Sequence, residues 1–80
     1  MNIEQSIKSY ILKEFLPGED ASRLTDATPL ITTGILDSIA TLKLVLFLEQ
    51  NFGLTIQPHE VNAEYMDTIS QIAELVRSKD

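Results

Sequence analysis

The 80-residue chain has no cysteine, no tryptophan and a single histidine, His59. Neither a disulfide framework nor a thiolate metal site is therefore available, and one histidine cannot hold a metal ion unaided. A long apolar run is also missing. The opening Met1-Asn2-Ile3-Glu4-Gln5-Ser6-Ile7-Lys8 is broken by polar or charged residues every few positions, unlike a signal peptide or a membrane span. The expectation is a cytoplasmic chain with no membrane role. No segment keeps a period of two long enough to require a sheet, and no repeat or low-complexity tract is present. The length sets residues 1–80 as one domain with one modest core, too small for a bundle plus a catalytic domain.

Basic residues are scarce as well. Six Lys and Arg stand against twelve Asp and Glu, for a net charge of -6. Between Leu24 and Val76 the acids are Asp26, Asp37, Glu49, Glu60, Glu64, Asp67 and Glu74, and the only base is Lys43. An acidic middle repels nucleic acid and favours partners with basic docking surfaces, although simple solubility accounts for the same charge equally well.

What the chain does have is helical period. Ile3, Ile7, Tyr10, Ile11 and Phe15 share one face, which predicts a first helix over about residues 3–15, stopped by Pro17-Gly18. A long connection containing Glu19-Asp20, Thr28-Pro29 and Thr32-Thr33-Gly34 follows, with Leu24, Leu30, Ile31, Ile35 and Leu36 available to pin it across the core. The second helix spans about 38–52 and ends at Gly53, a good residue for a left-handed cap. A short third helix is expected around 59–65 with Val61, Tyr65 and Met66 turned inward. Thr68 and Gln71 form a capping box for a last helix reaching about Arg77.

The second helix carries two apolar stripes. At 100° per residue, Thr41, Leu44, Val45, Leu48 and Phe52 fall on one face, while Ile39, Leu42 and Leu46 fall well to one side of it. One bundle contact cannot bury both, so either the helix is buried all round or the second stripe serves another purpose. That stripe starts beside Ser38, in the stretch Gly34-Ile35-Leu36-Asp37-Ser38-Ile39. Gly34 suits a turn with positive φ, and Asp37 or Ser38 can accept the first unpaired N–H groups of the helix. Ser38 then sits exposed at the positive end of a helix dipole, where a phosphate ester is favoured. A serine or aspartate in this position is more often a plain cap, and the residues alone leave both readings open.

Asp37-Ser38-Ile39, preceded by Thr28-Pro29-Leu30 and Gly34-Ile35-Leu36 and followed by Leu44, Leu48-Glu49, Phe52-Gly53, Ile56 and a terminal amphipathic helix, resembles the acyl and peptidyl carrier proteins. The resemblance covers nearly the whole chain and is most specific over residues 28–56. It implies an all-α, four-helix carrier-protein bundle with a long first loop and a short third helix. It also implies that Ser38 takes a 4′-phosphopantetheine arm from coenzyme A, with an acyl or aminoacyl group held as a thioester on the arm. The thiol then comes with the cofactor, in keeping with the missing cysteines.

The partners so implied are a phosphopantetheinyl transferase, an adenylating or acyl-loading enzyme, and downstream synthase, tailoring or thioesterase enzymes, met by Leu36, Asp37, Ile39, Leu42 and Leu46. The chain itself is expected to be a monomer and not an enzyme. Ile39 stands where carriers of housekeeping fatty acid synthesis commonly have Leu, and Ala40, Lys43, Gln50 and Asn51 stand where acids are common. These departures favour a stand-alone carrier of nonribosomal peptide or another specialised pathway, polyketide included. The competing readings are a helical interaction module in which Ser38 only caps, and a hydrolase using Ser38 with His59. The hydrolase needs an orienting group and an oxyanion site that nothing in the sequence marks.

Overall fold

A computed structural model describes residues 2–18 and 24–79, and the expected turn residues Glu19-Asp20 lie outside this range. The described residues are all-α: α1 Ile3–Phe15, α2 Ser38–Phe52, a 3₁₀ turn at Pro58–Glu60, α3 Ala63–Met66 and α4 Ile69–Ser78. Each start has a chemical cause. Asn2 accepts the N–H of Gln5 at 3.0 Å to open α1, and Thr68 and Gln71 exchange hydrogen bonds as a capping box to open α4. Gly53, at φ 65°, closes α2 in the left-handed region that its missing Cβ permits.

Ile7 and Ile11 of α1, Leu44 and Leu48 of α2, Met66 of α3, and Ile69 and Ile72 of α4 are fully buried together in one core. Burying an apolar side chain of this size contributes about 1.5–3 kcal/mol, which makes these contacts the main stabilising term. α1 packs on α4, and Arg77 donates to both carboxylate oxygens of Glu4, the shorter contact being 2.7 Å. α1 also grips α2 through Tyr10, whose ring stacks on Phe47 at 4.1 Å while its hydroxyl donates to the carbonyl of Lys43.

The long connection is held rather than loose. Leu24, Leu30 and Leu36 are buried, and Asp67 ties the segment to the end of α3. Its carboxylate accepts the N–H groups of Ile31 and Thr32 and the Thr32 hydroxyl, all at 2.9 Å, while its carbonyl accepts the N–H of Leu30. The Thr32 N–H, followed by the Thr32 hydroxyl and the Ile31 and Leu30 N–H groups, holds the Asp67 carboxyl below its ordinary range, against the opposing effect of burial.

The third helix differs from expectation. Its region is split into the 3₁₀ turn and α3, because Val61 and Asn62 leave helical geometry and the Asn62 side chain caps Glu64 N–H to start again. Met66 is buried and Val61 half-buried, but Tyr65 turns outward and meets His59 edge-on at 6.3 Å.

Candidate functional site

The question left open by the sequence, which residue caps α2, has a definite geometry. Gly34, at φ 83°, turns the chain, and the Leu36 N–H returns to the Leu30 carbonyl at 2.9 Å. Asp37 then takes the cap: its carboxylate accepts the Ala40 N–H at 2.8 Å, and its carbonyl accepts both the N–H and the hydroxyl of Thr41. Ser38 is the first residue of the helix, exposed, with its hydroxyl left out of the capping bonds. Helix opening thus makes no demand on the Ser38 side chain, which stands at the end of the helix where N–H groups and dipole favour an anion.

Beside Ser38 lies an open groove of about 510 Å³, walled by Ile31 and Gly34 of the connection, Thr41 and Leu42 of α2, and Val61 and Asn62 ahead of α3. Ile31, Thr41, Val61 and Asn62 were not read as site residues from the sequence, because only the folded connection and the α3 break bring them beside Gly34 and Leu42. His59 is not among them; it faces Tyr65 instead, and the serine–histidine pairing a hydrolase needs is not assembled here.

The second stripe is open to solvent. Ile39, Leu42 and Leu46 are 67%, 58% and 56% exposed, whereas Leu44, Val45 and Leu48 on the other face are buried. Asp37 is exposed next to them. Leu36 is a correction: it was expected at the partner surface, but only 2% of it is exposed. It lies just ahead of the cap, in the turn closed on Leu30, and its side chain fills the core under the connection.

Two acids of the chain's middle also hold backbone. The Glu49 carboxylate accepts the Ile56 N–H at 2.9 Å, and Glu60 accepts Gln57 N–H while pairing with Lys79 at 2.6 Å. The Lys79 ammonium, then the Gln57 N–H, keep the Glu60 carboxyl below its ordinary range. Among the described residues no cluster of three potential metal ligands occurs, and no helix is long and apolar enough to cross a membrane.

A family model described as the phosphopantetheine attachment site matches residues 11–76. The chain belongs to this family of carriers. The D-alanyl carrier protein of Streptococcus suis is 32% identical over 72 residues, covering 90% of this chain and 87% of that protein. The D-alanyl carrier protein of Streptococcus mutans is 36% identical over 70 residues, covering 85% and 87%. A solved structure described as "Crystal structure of FAD-dependent dehydrogenase" contains a chain that superimposes with a TM-score of 0.79 at 33% identity, covering 88% of this chain and 97% of that one.

Family membership brings a covalent 4′-phosphopantetheine and a carrier's role rather than an enzyme's, with a transferase and biosynthetic enzymes as the general class of partner. The residues fit that group. An exposed hydroxyl free of capping duty, at a helix N-terminus and beside an open groove with both apolar and polar walls, meets the needs of a phosphodiester and an extended arm.

Proposed function

We propose that Ser38 is the attachment residue and that the chain is an aminoacyl carrier, recognised through Asp37, Ile39, Leu42 and Leu46. The observation that carries this reading is the division of labour at the head of α2: Asp37 caps, Ser38 is left exposed, and the apolar stripe that begins at Ile39 has no partner within the chain. In the attachment step the Ser38 oxygen bonds to the pantetheine-bearing phosphorus of coenzyme A. The diphosphate bond breaks, adenosine 3′,5′-bisphosphate leaves, and the hydroxyl proton of Ser38 passes to a base of the transferase. The arm, once attached, supplies the thiol that holds the cargo as a thioester. This chain's own residues do the rest: Asp37 holds the helix mouth open, Gly34 sets the turn behind it, and Ile39, Leu42 and Leu46 offer an apolar footing that orients an enzyme over Ser38.

The D-alanyl carrier relatives support an amino acid as cargo and an adenylating enzyme as loader. The similarity to a chain in a structure described as an FAD-dependent dehydrogenase supports an enzyme of that class as one downstream partner. Intact mass spectrometry after incubation with coenzyme A and a broad phosphopantetheinyl transferase tests the attachment. One added phosphopantetheine on the wild type and none on Ser38→Ala is expected. An unmodified wild type, beside a control carrier that the same transferase modifies, contradicts the assignment.

A further inference from the structure

The exposed face of α2 is almost without available charge, and the exception has the unexpected sign. Within α2 the only acid is Glu49, which accepts the Ile56 N–H, while Asp37 stands exposed just ahead of the helix as its cap. Lys43 is exposed, has no ion pair among the described residues, and lies one helical turn after Ile39 and one turn before Leu46, on the border of the apolar stripe. Its backbone is fixed from behind, because its carbonyl accepts the hydroxyl of Tyr10 and the Tyr10 ring is stacked on Phe47. The chain as a whole is acidic at -6, so a basic partner is drawn to it at long range and then meets a cation at the contact itself.

We propose that Lys43 is the specificity-determining charge of this docking face, and that the loading enzyme seated on Ile39, Leu42 and Leu46 opposes it with a carboxylate. Complementary charge at the rim of an apolar contact sets the rate of productive encounter and rejects the wrong partner, since like charges brought together there repel. Lys43 therefore selects enzymes whose docking surface is apolar with an acidic rim, and disfavours those built to read acidic helices. This rests on the docking face proposed above, and the test separates the two.

The probe is the adenylating enzyme that charges the D-alanyl carrier protein of Streptococcus mutans, given ATP, D-alanine and the phosphopantetheinylated protein, with thioester formation followed in single turnovers. Lys43→Arg should keep kcat/KM within about twofold and Lys43→Glu should lower it at least about tenfold, through KM rather than kcat, with the gap closing as salt approaches about 1 M. Melting curves of both variants should match the wild type, which excludes a structural cause.

If Leu46→Ala slows charging while Lys43→Glu charges as fast as the wild type or faster, the Lys43 assignment is overturned and the docking face survives. If Leu46→Ala has no effect either, the docking face itself is wrong. A phosphopantetheinylated wild type that this enzyme leaves uncharged contradicts both.

Discussion

The two faces of α2 use the same kinds of side chain for different ends. Leu44 and Leu48 are fully buried in the common core, whereas Leu42 and Leu46, a few residues away on the same helix, are more than half exposed. An isolated exposed leucine needs no explanation, but three large aliphatics in one stripe beside an exposed serine at a helix mouth do. The inner face contributes stability and fixes where the helix points. The outer face is left open to solvent, and the proposed carrier role gives its composition a reason: docking of a partner enzyme.

The largest effect that could break this contrast is on the inner face. Leu48→Ala should cost about 2–5 kcal/mol, a large share of what so small a domain has, and thermal or urea unfolding will show it. A loss under about 0.5 kcal/mol would mean that the inner face is not the core. Next comes the junction of the two faces: Asp37→Ala removes the α2 cap and should cost about 0.5–2 kcal/mol. Modification of Ser38 should slow in the same variant, because the helix mouth loses its fixed geometry. If modification slows with no loss of stability, Asp37 acts by contact alone.

A third effect is confined to acid. The Asp67 carboxyl is held below its ordinary value of 3.8 in the fold, so the charge contributes stability above that value, and the contribution is lost as pH falls through the lower, folded value. The stability gap between wild type and Asp67→Asn, read from melting temperatures, should be constant near neutral pH and shrink only below about pH 4. A gap that shrinks nearer neutrality would show that another group is titrating.

Most of the frame was legible in the chain. The bounds of α1 and α2, the Thr68–Gln71 capping box, the left-handed Gly53 and the split between the α2 stripes all follow from local spacing, and local spacing is what sequence expresses best. What escaped depends on residues far apart in the chain. Nothing near Asp67 announces that it will bind Ile31 and Thr32, 36 and 35 positions away. Leu36, read both as a pin for the connection and as a partner contact, serves only the first, and the outward turn of Tyr65 depends on a break that Asn62 makes by capping a new helix. At the site, the sequence offered two possible caps for α2; the carboxylate of Asp37 reaching Ala40 N–H decides between them and leaves Ser38 exposed. Glu49 and Glu60, counted in the sequence only as part of the acidic middle, also accept the backbone N–H groups of Ile56 and Gln57, which their spacing does not announce.

The smallest effect on stability gives the sharpest test. Leu46→Ala, phosphopantetheinylated at Ser38, should melt within about 0.5 kcal/mol of the wild type, as ordinary surface substitutions do, yet accept its aminoacyl group markedly more slowly. Charging at the wild-type rate, or a loss of stability comparable to that of Leu48→Ala, would contradict the view that the outer face of α2 exists for recognition.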